Sequence, residues 1–171
     1  MLLEKAWAKI HGSYLRIENG KTYETFRDVT GAPAYEYPTS EPNLWELITK
    51  ADKANYIIGA SVNQEDEEEA KNLKSIGLIN THSYGLIRTA EVKDKDDVLT
   101  KIVQLRNPWG SYEWNGDWGD HSDKWSEDAK KQVDLVIADD GTFWMCLSDF
   151  KKYFTNLQIC KYDEENEFSS I

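Results

Sequence analysis

His82 and Asn107 are the side chains of this sequence best placed to act as a chemical pair. His82 opens the stretch THSYGLIRTAEV, and Asn107 closes the stretch TKIVQLRNP; both runs carry the β-branched and apolar content of strands. The short polar connection KDKDDVL between them predicts an antiparallel pair. In such a pair the start of the first strand lies beside the end of the second, so imidazole and carboxamide become neighbours. A carboxamide oxygen accepting an imidazole N–H fixes the orientation and tautomer of the ring and frees its other nitrogen to take a proton from a nucleophile. Trp109, two residues after Asn107, would shield that hydrogen bond from competing water. A lone His and Asn at strand ends more often serve structure than catalysis, so the pair alone assigns no function.

The other candidate nucleophiles and ligands are weaker. His11 falls in the first predicted helix and His121 in a loop. Cys146 and Cys160 lie among apolar neighbours, in FWMCL and LQICKY, with no C-x-x-C pair and no His spacing suited to zinc. They read as small buried core residues. The run EDEEE over Glu65 to Glu69 reads as a solvated loop, because five adjacent acids repel one another and lack the turns and spacing of a calcium loop.

The elements that must position these residues can be placed from periodicity. Leu3, Trp7 and Ile10 predict the stripe of a core-facing helix at the start of the chain, which is how a piece excised from a longer protein, or equally a native short protein, would begin. Residues Thr30 to Pro42 hold three of the four prolines and predict an ordered loop or extended segment. NLWELITKAD predicts a short helix capped by Asn43, and NYIIGASV a buried strand. After Pro108 comes a loop dense in Trp, Gly and Asp, then a helical piece, SEDAKKQVDLV. GTFWMCLSDFKKYF predicts a strand running into a helix opened by Ser148, NLQICKY a final strand, and DEENEFSSI an acidic tail over 163–171. Trp114 and Trp144 are expected inside, with Trp109 partly exposed.

Composition sets the outer bounds. The 171 residues suit one domain, here 1–162 followed by the tail. With 20 Lys and Arg against 31 Asp and Glu, the net charge of −11 leaves no basic face for nucleic acid. No apolar run is long enough to cross a bilayer and no signal peptide opens the chain, so a cytoplasmic protein is expected.

THSYGL together with IVQLRNPWGSYEWNGDW, DDGTFWMCLSDFKKYF and NLQIC resembles the second subdomain of the calpain protease core, and the likeness runs from LLEKAWAKIHGSY to Cys160. That family joins calcium regulation to a papain-like cysteine endopeptidase. The resemblance implies an α+β fold: an antiparallel, partly barrel-like sheet with peripheral helices, the His/Asn half of such an enzyme. It places His82 on the catalytic histidine, Asn107 on its orienting asparagine and Trp109 on the tryptophan beside the active site. It further implies one calcium ion held by Glu113, Asp120, the backbone carbonyl of Ala138, and Asp140. At Thr142 the family would have a glutamate, so the ion should bind weakly. Solvated loop acids are the alternative reading of the same residues. The nucleophilic cysteine and oxyanion-hole glutamine belong to a first subdomain absent from this chain, which is therefore expected to be inactive alone. That subdomain and protein substrates are its implied partners. A non-catalytic calpain-like binding or regulatory protein, or a free-standing aromatic binding module, is the competing expectation.

Overall fold

The computed structural model describes residues 2–18 and 20–163. Apart from Asp163, the expected acidic tail lies outside the described residues. Among these residues are the helices α1 (Leu2–His11), α2 (Thr22–Thr30), α3 (Leu44–Lys53), α4 (Glu67–Ser75), α5 (Glu127–Gln132) and α6 (Leu147–Tyr153). The strands are β1 (Ala34–Pro38), β2 (Ile57–Val62), β3 (His82–Lys93), β4 (Leu99–Arg106), β5 (Thr142–Cys146) and β6 (Asn156–Cys160). They form one open sheet in the order β1-β6-β2-β3-β4-β5, antiparallel at every pairing. The fold is α+β, as expected, with β1 and β5 at the two edges.

Both faces of the sheet are covered, which is why Ile102 and Val103, adjacent on β4 and pointing opposite ways, are both fully buried. On one face Leu44 and Ile48 of α3, Leu73 of α4 and Phe150 of α6 pack over Ala60, Tyr84, Val103 and Phe143. Burying a side chain the size of Phe150 contributes about 2–3 kcal/mol. On the other face Trp118, Trp125 and Trp144 meet Val92, Ile102 and, from α5, Ala129. A register shift between Leu86 and Arg88 changes which residues of β3 face which layer. Leu86 joins the first core and Val92 the second, while Arg88 lies over the Trp144 ring at 5.1 Å.

Four local expectations are corrected. The stripe of α1 does not face the core: Leu3 is 63% and Ile10 78% exposed, and of this helix only Ala8 is buried. Its principal contacts are to the 3-10 turn Tyr14–Ile17 that follows it, not to the sheet. The acidic run does not stay a loop, because Asp66 caps α4 by accepting from the N–H groups of Glu68 and Glu69, both at 2.9 Å. Glu67, Glu68 and Glu69 then sit in the first turn, where the helix dipole favours carboxylates and offsets their repulsion. Asn43 stands before α3, but its side chain makes no capping bond. Helix α6 starts at Leu147, with Cys146 and not Ser148 at the cap position.

The proline-rich segment contributes β1, which pairs along its length with β6 and places Pro38 at the end of an edge strand. Trp114 and Trp144 are buried, and Trp109 is exposed. Cys160 is fully buried. Cys146 is half-buried, with its Sγ donating to Asp149 Oδ2 at 3.1 Å. Burial pushes this thiol above its ordinary pKa, the opposite of what a nucleophile needs.

Candidate active site

The β3–β4 register sets Gly85 opposite Arg106, so His82 at the start of β3 and Asn107 just past the end of β4 lie at the same end of the sheet. Asn107 is held there by its own backbone, whose N–H donates to the carbonyl of Gly141 at 2.8 Å. Its side chain is completely buried. The amide nitrogen Nδ2 donates to the carbonyls of Ser111 at 2.9 Å and Tyr112 at 3.1 Å. Two carbonyls on one side leave no choice of amide orientation: the nitrogen must face them, and Oδ1 must face away.

Oδ1 therefore accepts, from the Trp109 N–H at 3.2 Å and from His82 Nε2 at 2.9 Å. A carboxamide oxygen has no proton to give, so the ring nitrogen is the donor. The neutral imidazole then carries its hydrogen on Nε2, and Nδ1 keeps a lone pair. That is the form required of a base that takes a proton from a thiol or hydroxyl brought to Nδ1.

Two aromatic rings confine the imidazole. The Trp109 ring lies 4.8 Å from it at 55°, and the Tyr84 ring meets it edge-on at 4.9 Å and 86°. Trp109 is 65% exposed and forms the outer cover; Tyr84 is buried and forms the inner wall. The Tyr84 hydroxyl accepts from the Ile79 N–H at 2.9 Å and so ties down the segment leading into His82. Burial pushes its phenol up to about 12, which keeps it neutral. Immediately before His82, Thr81 has φ +53, a left-handed conformation that costs a β-branched residue about 1–2 kcal/mol. Sequence reasoning missed Tyr84, although its place two residues after His82 puts both on one face of the strand. It also missed the carbonyls of Ser111 and Tyr112, for which no side-chain type signals.

The expected metal ligands form a second group. Glu113, Asp120 and Ala138 line one pocket of about 410 Å³. Glu113 Oε1 accepts from the N–H groups of Asp140 (2.8 Å) and Gly141 (2.6 Å), and Asp120 Oδ2 from that of Ala138 (3.1 Å). Burial first, then acids around them, raise both carboxyls above their ordinary values; the acid acting most on Glu113 is Asp120, and the one acting on Asp120 is Asp140. The Asp140 carboxylate does not join them. It accepts from the Thr142 N–H at 2.8 Å, and the hydrogen bonds from Thr142 hold its pKa low. Among the described residues no group of three or more His, Cys, Asp or Glu is disposed to hold a metal ion. Two carboxylates and a carbonyl thus suit a hard divalent cation in ligand type, while Asp140 is hydrogen-bonded to Thr142.

Residues 1–161 match the family described as calpain family cysteine protease. Calpain-8 of Homo sapiens is 37% identical over 169 residues, covering 96% of this chain and 24% of that protein. Calpain-9 of Mus musculus is 35% identical over 164 residues, covering 93% and 24%. The calpain-2 catalytic subunit of Gallus gallus is 37% identical over 163 residues, covering 93% and 23%. The chain spans about a quarter of the length of these relatives. An antiparallel sheet with an Asn-held His at its end, and a family match over nearly every residue, lead to one conclusion: this chain belongs to the calpain family of cysteine proteases.

Proposed function

We propose that the chain is the His/Asn-bearing subdomain of a cytoplasmic, calcium-dependent, papain-like cysteine endopeptidase. The observation that carries this reading is the bond from His82 Nε2 to an Asn107 oxygen whose orientation two backbone carbonyls dictate. His82 acts through Nδ1, taking the proton of a cysteine thiol supplied by a partner subdomain. The imidazolium then protonates the leaving amine as the acyl-enzyme forms, and His82 afterwards draws a proton from the attacking water. Asn107 keeps the ring in register throughout, and Trp109 keeps water from its bond to the ring. Neither cysteine of this chain suits the nucleophile's role, so the chain alone hydrolyses nothing. The intact pair weighs against the alternative of a non-catalytic regulatory relative.

Combining the chain with the cysteine-bearing subdomain of a calpain should restore thiol-dependent cleavage of casein, and His82→Ala should lower it by about 10³-fold or more. Turnover by the isolated chain that an alkylating agent blocks, or a reconstituted enzyme indifferent to His82→Ala, would contradict the proposal.

Calcium would be held by Glu113, Asp120 and the carbonyl of Ala138, with Asp140, whose Oδ1 accepts from Thr142, as the fourth expected ligand. Bound there, a cation neutralises the two acids that the loops hold together. Calorimetry should show a weak calcium heat that Glu113→Ala abolishes; an unchanged heat means the ligands are misassigned. The sign of the metal-free effect is also fixed. Because the folded-state pKa of Glu113 is raised, its contribution to stability is full below the ordinary carboxylate range and is lost as pH rises through the raised value. Without metal at neutral pH, Glu113→Gln keeps the acceptor for Asp140 and Gly141 and removes a partly buried charge. It should raise Tm by on the order of 1–2 °C.

A further inference from the structure

Between α4 and the end of α6 lies a cavity of about 440 Å³, a size suited to a small ligand, and neither His82 nor Asn107 lines it. Leu73, buried, with Ile76 and Tyr153, half-buried, gives it an apolar base. Gln64 and Asn72 add two carboxamides. Gln64 is anchored, since its Nε2 donates to the Tyr153 carbonyl at 3.3 Å and leaves its oxygen as an acceptor. The rim carries one charge of each sign, the exposed Glu69 of α4 and the exposed Lys152 of α6. Neither enters an ion pair among the described residues; the Lys152 ammonium stands over the Tyr153 ring, 4.7 Å from its centre.

We propose that this cavity is an effector site for a short zwitterionic peptide with aliphatic side chains. Its carboxylate pairs with Lys152 and its amino group with Glu69, while an aliphatic side chain covers Leu73 and Ile76. A carboxamide donates and accepts, as a peptide link does, so Gln64 and Asn72 match the bond between two residues. A ligand of single charge meets one partner and one repelling neighbour, whereas a zwitterion satisfies both. Because both charges are exposed, each pair contributes only about threefold to affinity. The walls of the cavity are fastened to the Asn107 cradle. The Ser75 carbonyl accepts from Asn115 Nδ2 at 3.0 Å and the Ile76 carbonyl from the Asn115 N–H at 3.1 Å. The Lys74 carbonyl accepts from the Tyr112 hydroxyl at 2.7 Å, and the Tyr153 ring lies 5.3 Å from that of Trp114. The Tyr112 carbonyl is in turn one of the two that orient the Asn107 amide. A ligand that holds α4 against α6 thus restrains the loop that positions Asn107, with no contact to the His82–Asn107 pair itself. Binding here requires no cysteine and stands whether or not the protease reading does.

The test uses the isotopically labelled 171-residue chain, titrated with leucylleucine, its N-acetylated form, its C-terminal amide and glycylglycine while backbone and side-chain amide resonances are followed. Leucylleucine should shift Gln64, Asn72, Ser75 and Tyr153 saturably. The acetylated and amidated forms should each bind about threefold more weakly. Glycylglycine, with nothing to lay on Leu73 and Ile76, should bind at least about tenfold more weakly. Lys152→Gln, a surface change, should abolish the difference between leucylleucine and its amide, and Glu69→Gln that between leucylleucine and its acetylated form. The side-chain amide of Asn107 should move with the same midpoint as the cavity residues. No shifts along α4 and α6, blocked peptides or glycylglycine binding as tightly as leucylleucine, or differences that persist in either variant would overturn the site. Binding that leaves Asn107 unmoved would overturn its effector role.

Discussion

Asn107→Asp will destabilise the chain by about 2–4 kcal/mol at neutral pH, although it exchanges only an amino group for an oxygen. The amide nitrogen faces the carbonyls of Ser111 and Tyr112, and in the variant an oxygen acceptor confronts both at hydrogen-bond distance. The residue is completely buried, so water cannot relieve the contact. A carboxylate in that position is raised in pKa by desolvation and by the carbonyl dipoles, because only its protonated form can donate. The loss should therefore shrink as pH falls below the raised value, the reverse of an ordinary acid transition. Urea unfolding at neutral and mildly acidic pH measures both effects. Equal stability of Asn107→Asp and the parent across that range would mean that the amide is oriented the other way, and the tautomer assigned to His82 would go with it.

Gly141→Ala should be as damaging, from a residue with no polar side chain. Gly141 has φ +85, and a Cβ there would stand 2.6 Å from the Asn107 carbonyl oxygen, 3.0 Å from the Gly110 Cα and 3.1 Å from the Ser111 nitrogen. All three are backbone atoms and cannot swing aside. They belong to the turn that shapes the Asn107 cradle, and the Gly141 carbonyl accepts the Asn107 N–H. Left-handed strain and collision together cost about 3 kcal/mol or more, a fall in Tm on the order of 10 °C. Gly85→Ala is the control, since its Cβ meets nothing within 4 Å and its φ is ordinary. It should change stability by less than about 0.5 kcal/mol. A reconstituted enzyme carrying Gly141→Ala should also lose activity, as Asn107 shifts from the imidazole.

What could be read in advance follows a physical divide. The β3–β4 pair was legible because strand composition and a short polar turn are local signals, and antiparallel geometry alone then brings His82 beside Asn107. The bulge after Leu86 was not, because it answers to which layer each half of β3 must face, a property of the assembled sheet. The direction of the α1 stripe was misread for the same reason: spacing shows that Leu3 and Ile10 share a face, not what that face meets. At Glu65 to Glu69 repulsion alone favours a loop, but the Asp66 cap and the helix dipole decide the outcome. The orientation of Asn107 depends on two backbone carbonyls from a loop, which no residue type announces.

This fold presents His82 with hydrogen on Nε2 and a lone pair on Nδ1. Long-range proton–nitrogen correlation spectra of the labelled chain, recorded as a function of pH, read that directly. The neutral His82 ring should show a protonated Nε2 and an unprotonated Nδ1, with the preference lost in Asn107→Ala. A neutral ring protonated on Nδ1, or one whose tautomer ignores the loss of Asn107, would contradict it.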